Sequence, residues 1–255
     1  MAARIDLNAD VGEGFGAWSM GADEALVEHV TSVNVACGFH GGDPAVIDRT
    51  VARAVRAGVA IGAHPGYFDL RGFGRREMQL STSEVEADVL YQVGALQAFA
   101  RAHGVPLTHV KPHGALYNQA ADDAELAQAI ARGVARVDRG LVMVGLAGSL
   151  AMRDAASDAG LRFAAEAFVD RAYDARGRLV PRSRPGAVTS DPAVAAAAAL
   201  RLARDRAVVT IDGREVAVEA DTLCLHGDTP RAVDVARAVR EALAGAGVSV
   251  QALPR

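Results

Sequence analysis

The sequence predicts one α/β domain over residues 1–255, built as a seven-stranded β/α (TIM-like) barrel. Three observations lead there. Short β-rich runs alternate with longer helical stretches, no linker-like segment interrupts them, and one parity of nearly every strand ends in an ionisable group. Seven repeats favour a closed or nearly closed barrel; a doubly wound open sheet is the alternative.

Strands are expected at 4–9, 32–37, 59–63, 107–112, 141–145, 161–168 and 222–226. Helices are expected at 22–30, 44–57, 83–103, 122–138, 149–159, 191–205 and 230–245, many of them alanine-rich with charges on one face, as helices packed on a sheet require. Asp43-Pro44 and Ser190-Asp191-Pro192 read as N-caps with proline in the first turn. The stretch Val208 to Val216 reads as a hairpin around Asp212-Gly213, an excursion before the last main strand.

Alternate residues of a strand share a face. Asp6, Asn8 and Asp10 therefore fall together, as do Asn34, Ala36, Gly38 and His40. The same parity collects Ala60, Gly62 and His64; His109, Lys111 and His113; Ala164, Glu166, Phe168 and Asp170; and Cys224, His226 and Asp228. A single buried histidine or aspartate is usually structural. Six strands delivering such groups to one rim describe an active site, because that rim is where parallel barrels build theirs.

Composition narrows the function. A net charge of -4 with no basic stripe argues against a nucleic-acid binder. The N-terminal residues lack the apolar stretch of a signal peptide, and no run approaches the roughly 18 apolar residues of a membrane span, so a cytoplasmic chain without membrane contact is expected. Cys37 and Cys224, without C-x-x-C spacing, read as small buried residues near strand ends. Of 27 basic residues 26 are arginine; Lys111 is the one lysine. Its ammonium is a compact point charge with a tunable pKa, which a guanidinium cannot replace.

Among motifs, Gly12-Glu13-Gly14-Phe15-Gly16-Ala17 formally matches the dinucleotide fingerprint, but it puts Glu13 where a pyrophosphate would lie. A glycine loop beside the site is the better reading. A Walker A loop is excluded because Lys111 follows Val110 rather than glycine. No G-x-S-x-G elbow supports a serine triad. Asp10, His64 and His113 could hold zinc or another divalent ion. The glycine-rich loop from Gly62 to Arg76 has the length of a lid. Arg171, Arg178, Arg182 and Arg184 could grip a carboxylate or phosphate; a solvated arginine loop is the plain alternative.

Several blocks resemble the LamB/YcsF family: Asp6 to Gly16, Asn34 to Asp43, Gly62 to Tyr67, Val110 to Asn118, Glu166 to Tyr173 and Cys224 to Asp228, in order along nearly the whole chain. The resemblance implies a seven-stranded barrel related to polysaccharide deacetylases. It also implies ATP-dependent opening of 5-oxo-L-proline to L-glutamate by a 5-oxoprolinase, with ATP and magnesium as co-substrate and two partner subunits, B and C. Homo-oligomers are compatible with it. Under that expectation Asp10, His40, His64, Lys111, His113, Glu166 and His226 are catalytic candidates. Asn8, Asn34, Asp170, Arg171, Tyr173, Arg182 and Asp228 are candidates to contact substrate. The alternatives are a metal-dependent carbohydrate deacetylase and a non-catalytic lactam-binding subunit.

Overall fold

In the computed structural model, which describes residues 3–20, 23–227 and 231–254, every barrel strand runs parallel to its neighbours. The strands are β1 (Arg4–Val11), β2 (Ser32–Ala36), β3 (Ala60–His64), β4 (His109–Val110), β5 (Val142–Leu146), β6 (Arg162–Phe168) and β9 (Thr222–His226). β9 pairs with both β6 and β1, which closes the seven-stranded barrel and decides against the open sheet. A short β10 (Ser249–Val250) extends the sheet at the start of β1. The expected hairpin forms from β7 (Ala207–Val209) and β8 (Glu215–Ala217), outside the barrel.

The outer layer comprises α1 (Asp23–Leu26), α2 (Pro44–Ala57), α3 (Thr82–Ala102), α4 (Gly114–Ala120), α5 (Ala124–Val137), α6 (Leu150–Asp158), α7 (Pro192–Asp205) and α8 (Ala232–Gly245). Their limits follow from capping. Asp43 and Asp191 accept backbone N–H groups of the first turns of α2 and α7, Ser81 and Glu84 form a capping box on α3, and Gly58 ends α2 in the left-handed region. The helix expected at 22–30 shortens to the single turn of α1. The strand expected at 107–112 keeps a ladder only at His109 and Val110, since Pro112 cannot donate and α4 follows at once. No helix among the described residues is long and apolar enough to cross a membrane.

Leu7, Val33, Ile61, Val110, Met143, Ala167 and Leu223, on the outward parity, join the helices in the main apolar core. The inward parity is polar, apart from a small cluster of Val142, Val144 and Ala164 under Leu253. Gly62 shows why small residues line that face: a Cβ there would lie 2.1 Å from His109 Nε2, so the imidazole occupies space that any side chain on β3 would need.

Candidate active site

Inside the barrel the polar groups satisfy one another in a single directed network. At its base Asp6 accepts the hydroxyls of Thr31, Ser32 and Thr222. Asn8 Nδ2 donates to Thr222 (2.7 Å) and to Glu166 Oε1 (3.0 Å). Asn34 Nδ2 donates to Asn8 Oδ1 (2.7 Å) and Asp10 Oδ1 (2.8 Å), and Asn34 Oδ1 accepts from His109 Nε2 (2.8 Å). Because that oxygen can only accept, His109 carries its proton on Nε2, and its Nδ1 takes the Thr108 hydroxyl at 2.7 Å. Asn8 and Asn34, expected to touch substrate, instead hold Asp10 and Glu166 from below.

Lys111 stands at the centre, 2% exposed. Its ammonium donates to Asp10 Oδ1 (2.9 Å) and Cys224 Sγ (3.0 Å) and lies 3.0 Å from Glu166 Oε1. Three protons meet three partners. Burial opposes the charge, but Asp10, Cys224 and Glu166 outweigh it and hold the lysine well above its ordinary pKa. Asp10 likewise stays ionised: burial raises its pKa, and His64 and Lys111 bring it well below the usual carboxylate range. Cys224 is thus more than the small strand-end filler expected. Burial pushes its thiol up and keeps it protonated beside the ammonium.

Above Lys111 sit the histidines. His64 Nδ1 donates to Lys111 O (2.7 Å), and His113 Nε2 donates to Phe73 O (2.9 Å). The remaining nitrogens, His64 Nε2 and His113 Nδ1, face each other at 3.0 Å, with Asp10 Oδ2 3.3 Å from the former and Glu13 Oε1 3.5 Å from the latter. With both N–H groups committed to carbonyls, the facing nitrogens present lone pairs, and such a pair calls for a cation between them. Separations of this size are those of neighbouring ligands about 2.1 Å from one ion, and carbonyl partners on the far nitrogens are the usual outer shell of metal-bound histidine. The donor set therefore fits a divalent metal on Asp10, His64 and His113, with Glu13 and His40 in reach. His40 is fully buried, stacks on His113 with ring centroids 3.7 Å apart, and places Nε2 3.3 Å from Glu13. Burial, then the neighbouring imidazoles, holds His40 and His113 far below the ordinary histidine pKa.

On the other side His226 Nδ1 lies 2.9 Å from Asp170 Oδ2, whose carboxylate also accepts the His226 backbone N–H, and its ring stacks on Phe168. Asp170 thus orients an imidazole toward the cavity rather than touching substrate. Tyr173 does not reach the cavity either. Its hydroxyl accepts from Phe168 N (2.6 Å) and faces Phe168 O, which ties the following loop to β6. Asp228 lies outside the described residues.

The cavity is about 420 Å³ and is lined by Asp10, Glu13, His64, Lys111, His113 and His226 on its floor. Pro112, Tyr117, Leu146, Phe168, Leu179 and Pro181 form its sides, and Arg75, Arg171, Arg178 and Arg182 its rim. Glu166 and His40 line none of it and act through Lys111 and His113. The loop after β3 is a fixed wall, not a free flap. Asp69 binds Arg76 and the Gly72 N–H, and the loop is tied to α4 by the bond from Ala115 N to Gly74 O (2.9 Å). Glu13, Arg75 and Thr222 were missed in the sequence. Thr222 shares the parity of Cys224 and could have been found so; Glu13 and Arg75 sit in loops, where parity is silent.

Comparison with known proteins places this geometry. The LamB/YcsF family model matches residues 5–255. The chain belongs to the LamB/YcsF family. It is 55% identical over 249 residues to the 5-oxoprolinase A subunit of Heliobacterium modesticaldum, covering 98% of both chains. It is 56% identical to the protein of that name from Thermus thermophilus, covering 98% of this chain and 99% of the relative. Among solved structures, the lactam utilization protein from another strain of Thermus thermophilus superposes with a TM-score of 0.92 at 55% identity, over 98% of this chain and all of that one. This LamB/YcsF barrel therefore shares its whole length with relatives named for one component of a lactam-opening enzyme.

Proposed function

We propose that this chain is the A subunit of an ATP-dependent 5-oxoprolinase and holds the site where the lactam ring opens. One observation carries the reading: an ammonium is locked between two carboxylates on the floor of a cavity flanked by oriented imidazoles, in a chain whose full-length relatives bear that name. A γ-lactam is a poor electrophile because its amide is resonance-stabilised. Transfer of the γ-phosphoryl group of ATP to the amide oxygen, releasing ADP, removes that stabilisation. Water then adds to the ring carbon and loses a proton to a base. The C–N bond breaks as nitrogen gains a proton, and the acyl phosphate so formed is hydrolysed to glutamate and phosphate.

The residues suit these needs unequally. His226, held by Asp170, is better built as the base than Asp10 or Glu166, because Asp10 is a low-pKa anion bound to Lys111 and Glu166 is sealed from the cavity. Lys111 supplies fixed positive charge beneath the reacting carbonyl. His64 and His113 stand where a proton for the leaving nitrogen, or a metal, would be held. Magnesium-bound ATP enters as co-substrate, and the partner subunits, B and C, complete the cytoplasmic complex. The test is glutamate release from 5-oxoproline and ATP with and without the partner subunits; no release from the complete mixture would end the proposal.

A second reading, metal-dependent removal of acetyl groups from carbohydrate, is favoured by the facing nitrogens of His64 and His113. A divalent ion there would polarise a carbonyl and activate water. Acetate release from an acetylated sugar, abolished by chelation, would establish it.

A further inference from the structure

We propose that Arg171 and Arg178 anchor a carboxylate of the substrate, so that this chain selects lactams bearing an acid group over neutral ones. The inference rests on the lactam reading above and extends it to the substrate's second functional group.

Arg171 is partly buried at the cavity rim. Its Nη2 donates to Val180 O (2.7 Å), which fixes the plane of the guanidinium, while its Nε is buried with no partner. No carboxylate of the described residues forms an ion pair with it, and the adjacent Asp170 is engaged by His226. Burial, with Arg182 and Arg75 close by, pushes its pKa down to about 10. Arg178 also lines the cavity; it binds Asp122 through Nη2 and keeps a buried Nη1 without a partner. Like charges gathered in a half-desolvated rim are stabilised by an anion, and a guanidinium fork matches a carboxylate.

Polarity then fixes orientation. The floor holds Asp10 and Glu13, with Glu166 behind Lys111, so an anion placed there meets three carboxylates against one ammonium. Only the arginine end accepts it. The ring is left against Phe168 and Leu179, with its amide toward Lys111 and His226.

The test is calorimetric titration of the isolated chain with 5-oxoproline, with pyrrolidinone (the same ring without the acid), and with inorganic phosphate and acetate as competitors. We expect 5-oxoproline to bind about ten-fold or more tighter than pyrrolidinone. Arg171→Gln should erase that preference while leaving pyrrolidinone unaffected, and Arg171→Lys should restore part of it. Arg178→Gln provides the same reading if Arg171→Gln does not fold. Equal binding of the two lactams, no binding of either, an unchanged preference in folded Arg171→Gln, or phosphate displacing 5-oxoproline far better than acetate would each overturn the assignment. Since the titration needs neither ATP nor partners, an intact preference without ATP-dependent glutamate release would reject the ATP-dependent reaction and keep the carboxylate anchor.

Discussion

His64 Nε2 and His113 Nδ1 face each other across 3.0 Å, each with its other nitrogen bonded to a backbone carbonyl. A metal relieves the opposition. We expect zinc to raise the melting temperature of the native chain, by the equivalent of about 2.7 kcal/mol at a hundred-fold excess over Kd. The rise should vanish in His113→Asn. Melting temperatures unmoved by zinc would assign the site to a proton instead.

Lys111 is the counter-charge for two carboxylates sealed from water. Lys111→Met should cost about 3–5 kcal/mol, the range seen when one partner of a buried ion pair is removed. Lys111→Arg keeps the charge but forces a planar fork into a space fitted to three short donor contacts. We expect at least roughly a hundred-fold loss of glutamate release in the reconstituted complex. Full activity in Lys111→Arg would sink the role given to the lysine.

Asp170 works through His226. Asp170→Asn retains the shape but offers one acceptor where two oxygens now serve a ring N–H and a backbone N–H. The imidazole would then favour its other tautomer. Turnover should fall by about a hundred-fold or more, with 5-oxoproline affinity little changed. A fall in affinity with unchanged turnover would show that Asp170 touches substrate after all.

Acid should loosen the barrel through its buried imidazoles. His109 is held down to about 3 by burial and by Lys111. Between its unfolded value, about 6.5, and about 3 the unfolded chain binds a proton that the folded chain refuses. Stability attributable to His109 is therefore intact above about 6.5 and declines as pH falls, by up to about 1.4 kcal/mol per unit. Urea midpoints followed from pH 7 to pH 4 should fall less steeply for His109→Gln than for the native chain.

Gly62 makes room for that imidazole. A methyl group placed 2.1 Å from His109 Nε2 forces the ring out of its bonds to Asn34 and Thr108. Gly62→Ala should cost about 1–3 kcal/mol, measured by thermal unfolding. An unchanged melting point would mean that the ring has another place to go.

Much of this was legible because a strand's alternation is a local rule. Residues such as Asp10, His64, Lys111 and His226 could be assigned to one interior from spacing alone. Closure of the barrel followed from counting repeats, and the helix starts followed from Asp43-Pro44 and Asp191-Pro192. The same rule says nothing of depth. Asn8 and Asn34 share the parity of Asp10 but lie a layer below it, where they reach side chains and no substrate. Tyr173 looked like a ligand contact because its hydroxyl's backbone partner, Phe168, is set by how the loop folds back. His113 lies beyond the end of β4, and its position depends on α4, whose seven residues Gly114–Ala120 carry too short a pattern to stand out. Glu13, Arg75 and Arg178 enter from loops, and only the closed structure brings them over the floor.

Lys111 also has a consequence for labelling chemistry. It is the only side-chain amine in the chain, and the barrel encloses it. Succinimidyl and acetylating reagents will find no lysine on the folded protein, so each modified side-chain amine records one opening of the barrel. Few proteins of this size arrive with such a single-site reporter already installed at the centre of their polar core.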